Sequence, residues 1–440
     1  MARIARRRFV VLGLVASFAI ASLATGWAQS APDKTPRDVA GLNNITGSEP
    51  ASNSLKALLD DKDKAKSVIA QALPLAKEKE QLRYNASLIL ALTAAEMKDL
   101  PASEAFFRNC IHQAVKLQSA SKLLQSFGGL IEIYFENKKY DETAKLCQEL
   151  INLKTDDGKE RIVLFAYTDK RTGETEFYEN DSFNTTEPLL PYIFRQQVQA
   201  MAKQGKYEQA HRVLDNLLKQ GDDWRDRQLK GWLYREAGEF DKAAAAYIDL
   251  IDSLKNDRKI TAKERDFAVE RNQYILSNIY VDLKQVDKSA EMLQELLKAK
   301  PNDPGYNNDL GYIWADHDMN LDQAEKLVRK ALEEDRKRRK ADNDPEDDLK
   351  DNGAYLDSLG WVLFKKKDYK QAKKYLLEAL DDKNSQHIEI YDHLADVLLA
   401  LGERQAAVEA WRKGLEHVTE TRRDQDRKKR VEEKLKLNAK

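Results

Sequence analysis

The chain has 440 residues, of which 42% are hydrophobic and 33% are charged. That hydrophobic share is enough for a packed core and argues against a chain that is disordered throughout. The formal net charge of −1 argues against the strongly basic surface that nucleic-acid-binding proteins carry. The two cysteines, Cys110 and Cys147, are too few for a disulfide framework, and their spacing fits no metal site.

The first 28 residues have the three parts of a secretory signal peptide. Arginines at positions 3, 6, 7 and 8 come first, an apolar run from Phe9 to Ala24 follows, and the small residues Gly26 and Ala28 then stand two apart. This order predicts export from a bacterial cell, with cleavage near Ala28 and a mature chain that is periplasmic or secreted. Because the apolar run is close to the length of a bilayer crossing, an uncleaved membrane anchor is the alternative.

Three stretches follow the leader. Residues 29–54 are rich in Pro, Gly, Ser, Asn and Thr and have little periodicity, which predicts a flexible linker. From Leu55 onward the apolar residues follow a helical period almost everywhere. Residues 154–190 are the exception, because β-branched and aromatic runs lie on both sides of a Gly-containing turn. They predict a β-hairpin insert with strands near 161–168 and 174–179.

The most regular stretch is NGAYLDSLGWVLFKKKDYKQAKKYLLEALDD, residues 352–382. Its apolar residues form two helical faces that a short polar segment separates, which predicts a helix–turn–helix hairpin whose faces meet. Gly360 and Ala372 are small at the places where the two helices are expected to cross closely. Both positions recur 35 residues downstream, as Ala395 and Ala407. The chain therefore contains an internal repeat.

The repeat also extends upstream, where Gly205 returns as Gly238 at an offset of 33 residues. Its pattern is Leu-Gly, an aromatic residue three positions on, then an Ala, a large residue four positions later and a closing Pro. This pattern resembles the tetratricopeptide repeat (TPR) family. It is met most fully at residues 270–301 and 353–381.

The resemblance implies an all-α fold, a right-handed TPR superhelix (α-solenoid) of helix pairs. About five repeats would cover residues 191–417. Residues 55–153 would hold N-terminal repeats that are TPR-like but less regular. The last segment, residues 418–440, lacks the pair pattern and is predicted to be a charged capping helix at the end of the solenoid.

The family also implies where a partner binds. Its concave groove is lined by the first helix of each pair and holds peptides or helices of other proteins, so we expect a protein or peptide partner. We expect no nucleic acid and no small-molecule substrate, and a membrane contact only if the leader stays uncleaved. From their place on first helices, the predicted groove residues are Tyr192, Arg195, Gln228, Trp232, Arg235, Tyr274, Asn278, Asn308, Tyr312, Asp357, Trp361, Asp392 and Asp396.

Two features of this set bear on the partner. Tryptophan and tyrosine dominate binding hot spots, but Trp232 and Trp361 have an alternative role, which is to pack against the next repeat. The set also changes from Arg-containing in the middle repeats to acidic at the end, with Asp357, Asp392 and Asp396. That change indicates a partner with basic character at the acidic end.

No motif indicates catalysis. The six histidines form no HExxH motif, and no P-loop, Rossmann or Gly-x-Ser-x-Gly motif is present. The sequence therefore predicts a non-enzymatic protein–protein interaction scaffold or adaptor of the bacterial cell envelope, without cofactor or metal. The alternatives are a membrane-tethered scaffold that recruits substrates to an envelope enzyme and a protein that binds a surface polymer.

Overall fold

The computed structural model describes most of the chain after the predicted signal peptide. The described residues are 37–78, 81–117, 119–152, 166–168, 175–177, 189–221, 223–341, 350–382 and 385–438. The chain forms two compact units, unit 1 up to Glu239 and unit 2 from Phe240. The predicted signal peptide lies outside the described residues. No helix within the described ranges combines the length and the apolar composition that crossing a membrane requires.

The described part of unit 1 is helical apart from two short strands. In chain order its elements are α1 (Val39–Asn43), α2 (Ser48–Asp60), α3 (Lys62–Lys77), α4 (Tyr84–Glu96), α5 (Leu100–Lys116), α6 (Ala120–Glu136), α7 (Tyr140–Ile151), β1 (Ala166–Thr168), β2 (Thr175–Phe177), α8 (Leu189–Lys203), α9 (Tyr207–Gln220) and α10 (Trp224–Glu236). Helix α4 packs on α5, α7 on α8, and α8 on α9. Phe106, Phe127 and Tyr134 are fully buried in the core that these helices share.

Residues 39–43 and 48–54 are helical, whereas the sequence predicted a linker there. The Gly41 backbone N–H donates to Asp38 Oδ1 at 2.7 Å, which caps the start of α1. Leu42 of that helix is fully buried in the core of unit 1. Asp38, one of the polar residues of this segment, therefore caps a helix, where its side-chain oxygen satisfies a backbone donor.

The region of the predicted β-hairpin insert is described only in part. Strands β1 and β2 pair antiparallel, with Ala166 opposite Phe177 and Thr168 opposite Thr175. The remainder of residues 154–188 lies outside the described residues. Because an isolated two-stranded ribbon is marginally stable at best, these six residues do not establish a folded insert, and the insert stays a prediction.

Unit 2 is a run of helix pairs. Its helices are α11 (Phe240–Asn256), α12 (Ala262–Asp282), α13 (Val286–Ala299), α14 (Pro304–Asp316), α15 (Leu321–Ala341), α16 (Gly353–Lys365), α17 (Tyr369–Leu380), α18 (Ile388–Ala400), α19 (Arg404–Leu415) and α20 (Arg422–Asn438). The pairs are α12 with α13, α14 with α15, α16 with α17, and α18 with α19, and each packs on the next. The predicted all-α helical repeat is confirmed for this part of the chain.

The helices of a pair cross closely where the repeat carries glycine. A Cβ atom added to Gly311 would lie 2.6 Å from Val328 Cγ2 and 2.8 Å from the Ala324 carbonyl oxygen. One added to Gly360 would lie 2.6 Å from Leu376 Cγ. Since real Cβ atoms do not approach other atoms so closely, the repeated small residue is required by packing, as the sequence predicted for Gly360.

Candidate functional site

The first helices of the four pairs in unit 2 are α12, α14, α16 and α18. We call the surface that they form the first-helix face. Each helix begins at a residue whose side chain accepts a hydrogen bond from the first turn, which fixes the register of its side chains. The capping residues are Thr261, Asp303, Asn352 and His387. The predicted groove residues on this face are Tyr274, Asn278, Asn308, Tyr312, Asp357, Trp361, Asp392 and Asp396.

Tyr274 and Asn308 both donate to the half-buried carboxylate of Asp309. The Tyr274 hydroxyl donates to Asp309 Oδ2 at 2.6 Å, and Asn308 Nδ2 donates to Asp309 Oδ1 at 3.2 Å. Burial raises the pKa of Asp309 above its ordinary value, although Tyr274 and Asn308 act in the opposite direction. Asn308 is 7% exposed, and its Oδ1 has no hydrogen-bond partner among the described residues. Asn278 donates to the Tyr274 carbonyl oxygen at 3.0 Å.

Trp361 packs between repeats. Its indole is 8% exposed and stacks on the imidazole of His393, with ring centroids 4.1 Å apart. Its Nε1 donates to Asp316 Oδ1 at 3.0 Å. His393 Nδ1 lies 2.8 Å from Asp357 Oδ1. Trp361 therefore packs against the next repeat, which is the alternative role that the sequence left open. Asp357 contacts a histidine of the same chain.

Tyr312 and Asp392 lie where α14 and α18 meet α20. The Tyr312 hydroxyl donates to Glu389 Oε1 at 2.8 Å. Arg427 of α20 donates to Glu389 as well, and its Nη1 donates to Asp392 Oδ2 at 3.1 Å. Burial favours the neutral form of Glu389, but Arg427, His393 and Tyr312 together outweigh burial, so the pKa of Glu389 is below its ordinary value. Glu389 therefore stays anionic between a phenol and a guanidinium.

The acidic end of the predicted groove is covered by a lysine. Lys434 Nζ of α20 lies 2.7 Å from Asp392 Oδ1 and 2.7 Å from Asp396 Oδ2. Burial would raise the pKa of Asp392, but Lys434 and Arg427 together lower it. The pKa of Asp396 is raised, because burial and the charge of Asp392 outweigh Lys434. A cation of the chain itself thus contacts the acidic end, and the partner with basic character that the sequence predicted there stays a prediction.

Two of the five predicted groove residues of unit 1, Tyr192 and Arg195, are buried. Arg195 is 6% exposed, and it donates to Asp226 Oδ1 at 2.5 Å and to Asp223 Oδ2 at 2.9 Å. Because Asp223 also caps α10, this ion pair ties α8 to the start of α10. Tyr192 is buried edge-on against Phe127. These two residues are parts of the packed structure.

Helix α10 carries the other three residues of that set. Gln228, Trp232 and Arg235 are partly exposed and lie four and three residues apart, hence on one face of the helix. Lys203 Nζ is 5.7 Å from the centroid of the Trp232 ring. Their role in partner binding stays a prediction.

Sequence reasoning missed the residues that hold the first-helix face together. They are Asp309, Glu389, His393, Arg423, Arg427 and Lys434. One signal in the sequence could have found two of them. Arg427 and Lys434 are seven residues apart, so they share a face of the last helix, and such a basic face complements the acidic end that was predicted for the groove. Within the described residues, no group of three or more His, Cys, Asp or Glu could hold a metal ion.

Comparison with known protein families confirms the repeat. A tetratricopeptide repeat model matches residues 195–257 and 276–344, which run from α8 to α15. A second tetratricopeptide repeat model matches residues 354–381, which hold α16 and α17. The chain therefore contains tetratricopeptide repeats. Such repeats are typically non-catalytic scaffolds on which proteins interact.

Several solved structures are similar to parts of the chain. A tetratricopeptide repeat protein from Parabacteroides merdae is 14% identical, with a TM-score of 0.44, over 72% of this chain and 100% of that one. MamA from Desulfovibrio magneticus is 19% identical, with a TM-score of 0.33, over 44% and 96% of the two chains. A thermophilic TPR protein of Thermus thermophilus is 16% identical, with a TM-score of 0.36, over 48% and 98%. No curated protein matches the chain.

Proposed function

We propose that this protein is a non-enzymatic interaction scaffold of the bacterial cell envelope, which binds a peptide or helix of a partner protein on the first helices of its repeats. The observation that carries the proposal is Trp232. It stands, partly exposed, on a first helix inside a matched tetratricopeptide repeat. A tryptophan offers a large contact area at low entropic cost, which is why it dominates binding hot spots.

The neighbours of Trp232 fit this role. Gln228 and Arg235 extend the same face of α10 with polar groups. Lys203 Nζ lies 5.7 Å from the Trp232 ring centroid and 2.6 Å from Glu236, so a charged pair borders the indole, which packs on its inner side against the apolar cluster of unit 1. An apolar centre with a polar rim is the usual composition of a protein interface. A partner with an apolar anchor and an acidic or amide neighbour would complement this surface.

The envelope location rests on the leader. Its basic start, apolar run and small residues predict removal after Ala28. N-terminal sequencing of the protein from its own cells tests this. A chain that begins at Gln29 and is released without detergent supports export, whereas a chain that keeps the leader and stays with the membrane supports the tethered alternative.

The binding role is tested by affinity capture with quantitative mass spectrometry. Wild type is compared with Trp232→Ala and with Leu117→Ala, since Leu117 is 54% exposed but lies at the end of α5. We expect a protein that wild type and the Leu117 variant capture equally and that Trp232→Ala captures at least tenfold less. Equal capture by all three folded proteins would contradict binding on α10.

A further inference from the structure

Helix α20 reaches from the first helices of unit 2 to its last pair. At its start, the Arg422 guanidinium lies 5.3 Å from the centroid of the Phe240 ring, where α11 begins. The next residue, Arg423, donates from Nη2 to Asp282 Oδ1 at 2.6 Å, where α12 ends. Its middle and end lie on α18 through Arg427 and Lys434, as described above. One helix therefore contacts both ends of the first-helix face.

Charge holds α20 in place more than apolar contact does. Its sequence, RRDQDRKKRVEEKLKLN, contains eight Lys or Arg and four Asp or Glu residues. All residues of α20 are described, and Val431 is the one apolar side chain among them that is fully buried. The carboxylates that receive its cations belong to first helices and are Asp282, Glu389, Asp392 and Asp396.

The contacts of α20 follow a simple pattern. Arg423, Arg427 and Lys434 are four and seven residues apart, so they lie on one side of the helix. Glu389 and Asp392 are anionic at neutral pH, because the cations of α20 lower their pKa values. The carboxylates of the face therefore match basic residues at this spacing on one side of a helix.

We propose that α20 is an intramolecular occupant of the first-helix face, and that this face accepts a basic helix of a partner protein when α20 leaves. The inference rests on the proposed function and adds the chemistry of the partner and its regulation. While α20 is bound, the partner's apparent affinity is reduced by the fraction of molecules in which the face is open. Because several of the ion pairs are partly exposed, salt screens them and favours release.

The probe is a fluorescent peptide with the sequence of residues 419–438, and its binding to the full chain is followed by anisotropy. A released variant loses the three cations that touch the face and keeps every carboxylate: Arg423→Gln, Arg427→Gln, Lys434→Gln. A control variant loses three cations that do not contact the face: Lys428→Gln, Lys429→Gln, Arg430→Gln. Circular dichroism establishes that each protein is folded.

We expect the released variant to bind the peptide at least tenfold more tightly than wild type or the control variant. Adding Glu389→Gln and Asp392→Asn to the released variant is expected to abolish that gain. Equal affinity of all three proteins for the peptide would overturn the proposal, because α20 would then not compete for the face.

A second measurement covers the case in which the triple variant does not fold. In hydrogen exchange on wild type, the amides of α20 are expected to exchange at least tenfold faster than those of α18, and faster still in 0.5 M NaCl. Equal protection of the two helices at both salt concentrations would show a permanent part of the core and overturn the proposal.

These results are separable from the proposed function, because that function is tested at Trp232 in unit 1. Capture that depends on Trp232, together with failure of the peptide experiments, would refute only the role of α20. Failure at Trp232 would remove the basis of the proposed function even if the peptide bound.

Discussion

The indole of Trp361 lies flat against the imidazole of His393, with planes 15° apart and ring centroids separated by 4.1 Å. The two residues come from consecutive first helices, α16 and α18, so their stacking is a contact between repeats. His393 is 1% exposed, and its Nδ1 lies 2.8 Å from Asp357 Oδ1. Trp361, which the sequence predicted to contact a partner, therefore stabilises the packing of one repeat on the next.

Replacing Trp361 is therefore expected to destabilise the protein. Trp361→Ala removes a buried ring and leaves Asp316 without its donor, which should lower the free energy of unfolding by about 3–5 kcal/mol. Trp232→Ala, at a partly exposed site, should cost clearly less. Urea denaturation followed by circular dichroism compares the two variants, and equal losses would show that Trp232 is also a core residue.

The docking of α20 depends on Arg427. Arg427→Ala leaves the half-buried Glu389 without its cation and leaves the buried Asp392 with Lys434 alone, which should lower the free energy of unfolding of unit 2 by about 2–4 kcal/mol. The matched control is Arg430→Ala on the same helix, where the side chain is exposed, and the expected change is within about 0.5 kcal/mol. Similar losses in both variants would contradict a specific role of the Arg427 ion pairs in holding α20.

The pair of His393 and Asp357 predicts a pH dependence of stability. Burial favours neutral His393, but the carboxylate of Asp357 outweighs burial, so the pKa of His393 in the folded protein lies above its ordinary value. Arg427 and Glu389 also face this ring and act in opposite directions. Because the folded state holds the proton more tightly, the stabilisation is complete below the unfolded pKa and is lost as pH rises through the folded pKa.

Asp357→Asn should remove that dependence. We expect the difference in unfolding free energy between wild type and this variant to be largest near pH 5.5 and to shrink towards pH 9. The measurement is a series of urea titrations across this range. A difference that stays constant with pH would contradict protonation of His393 as its source.

The close crossing of α16 and α17 predicts a strong effect of one methyl group. In Gly360→Ala the new Cβ meets Leu376 at 2.6 Å, so the pair must separate, at a cost of roughly 1–3 kcal/mol. Gly221→Ala is the control, since no atom lies within 4 Å of its Cβ position. Thermal unfolding should show a lower Tm for Gly360→Ala alone.

The repeat could be predicted from the sequence because its signal is local. Gly360, Ala372 and their counterparts 35 residues on recur at the spacing that helix pairs impose. The role of Trp361 could not be predicted, because the same helical position serves either a groove or the next repeat. Only the approach of α18 decides between them.

The contacts of α20 with the first helices could not be predicted from the sequence, for a different reason. Arg423 and Asp282 are 141 residues apart, and a charge pattern alone does not say which of many carboxylates a cation meets. The linker prediction was wrong for residues 39–43 and 48–54, because residues at helix ends and residues in linkers have a similar composition. The burial of Leu42 shows that α1 belongs to the core.

The central claim is that a protein partner contacts the first helices of the repeats. The most direct measurement places a photo-crosslinking amino acid at position 232 of the full chain, in its own cells, with position 216 on the exposed side of α9 as the control. We predict a discrete protein adduct at 232 that is absent at 216. No adduct at 232, or the same adducts at both positions, would contradict a binding surface on the first helices.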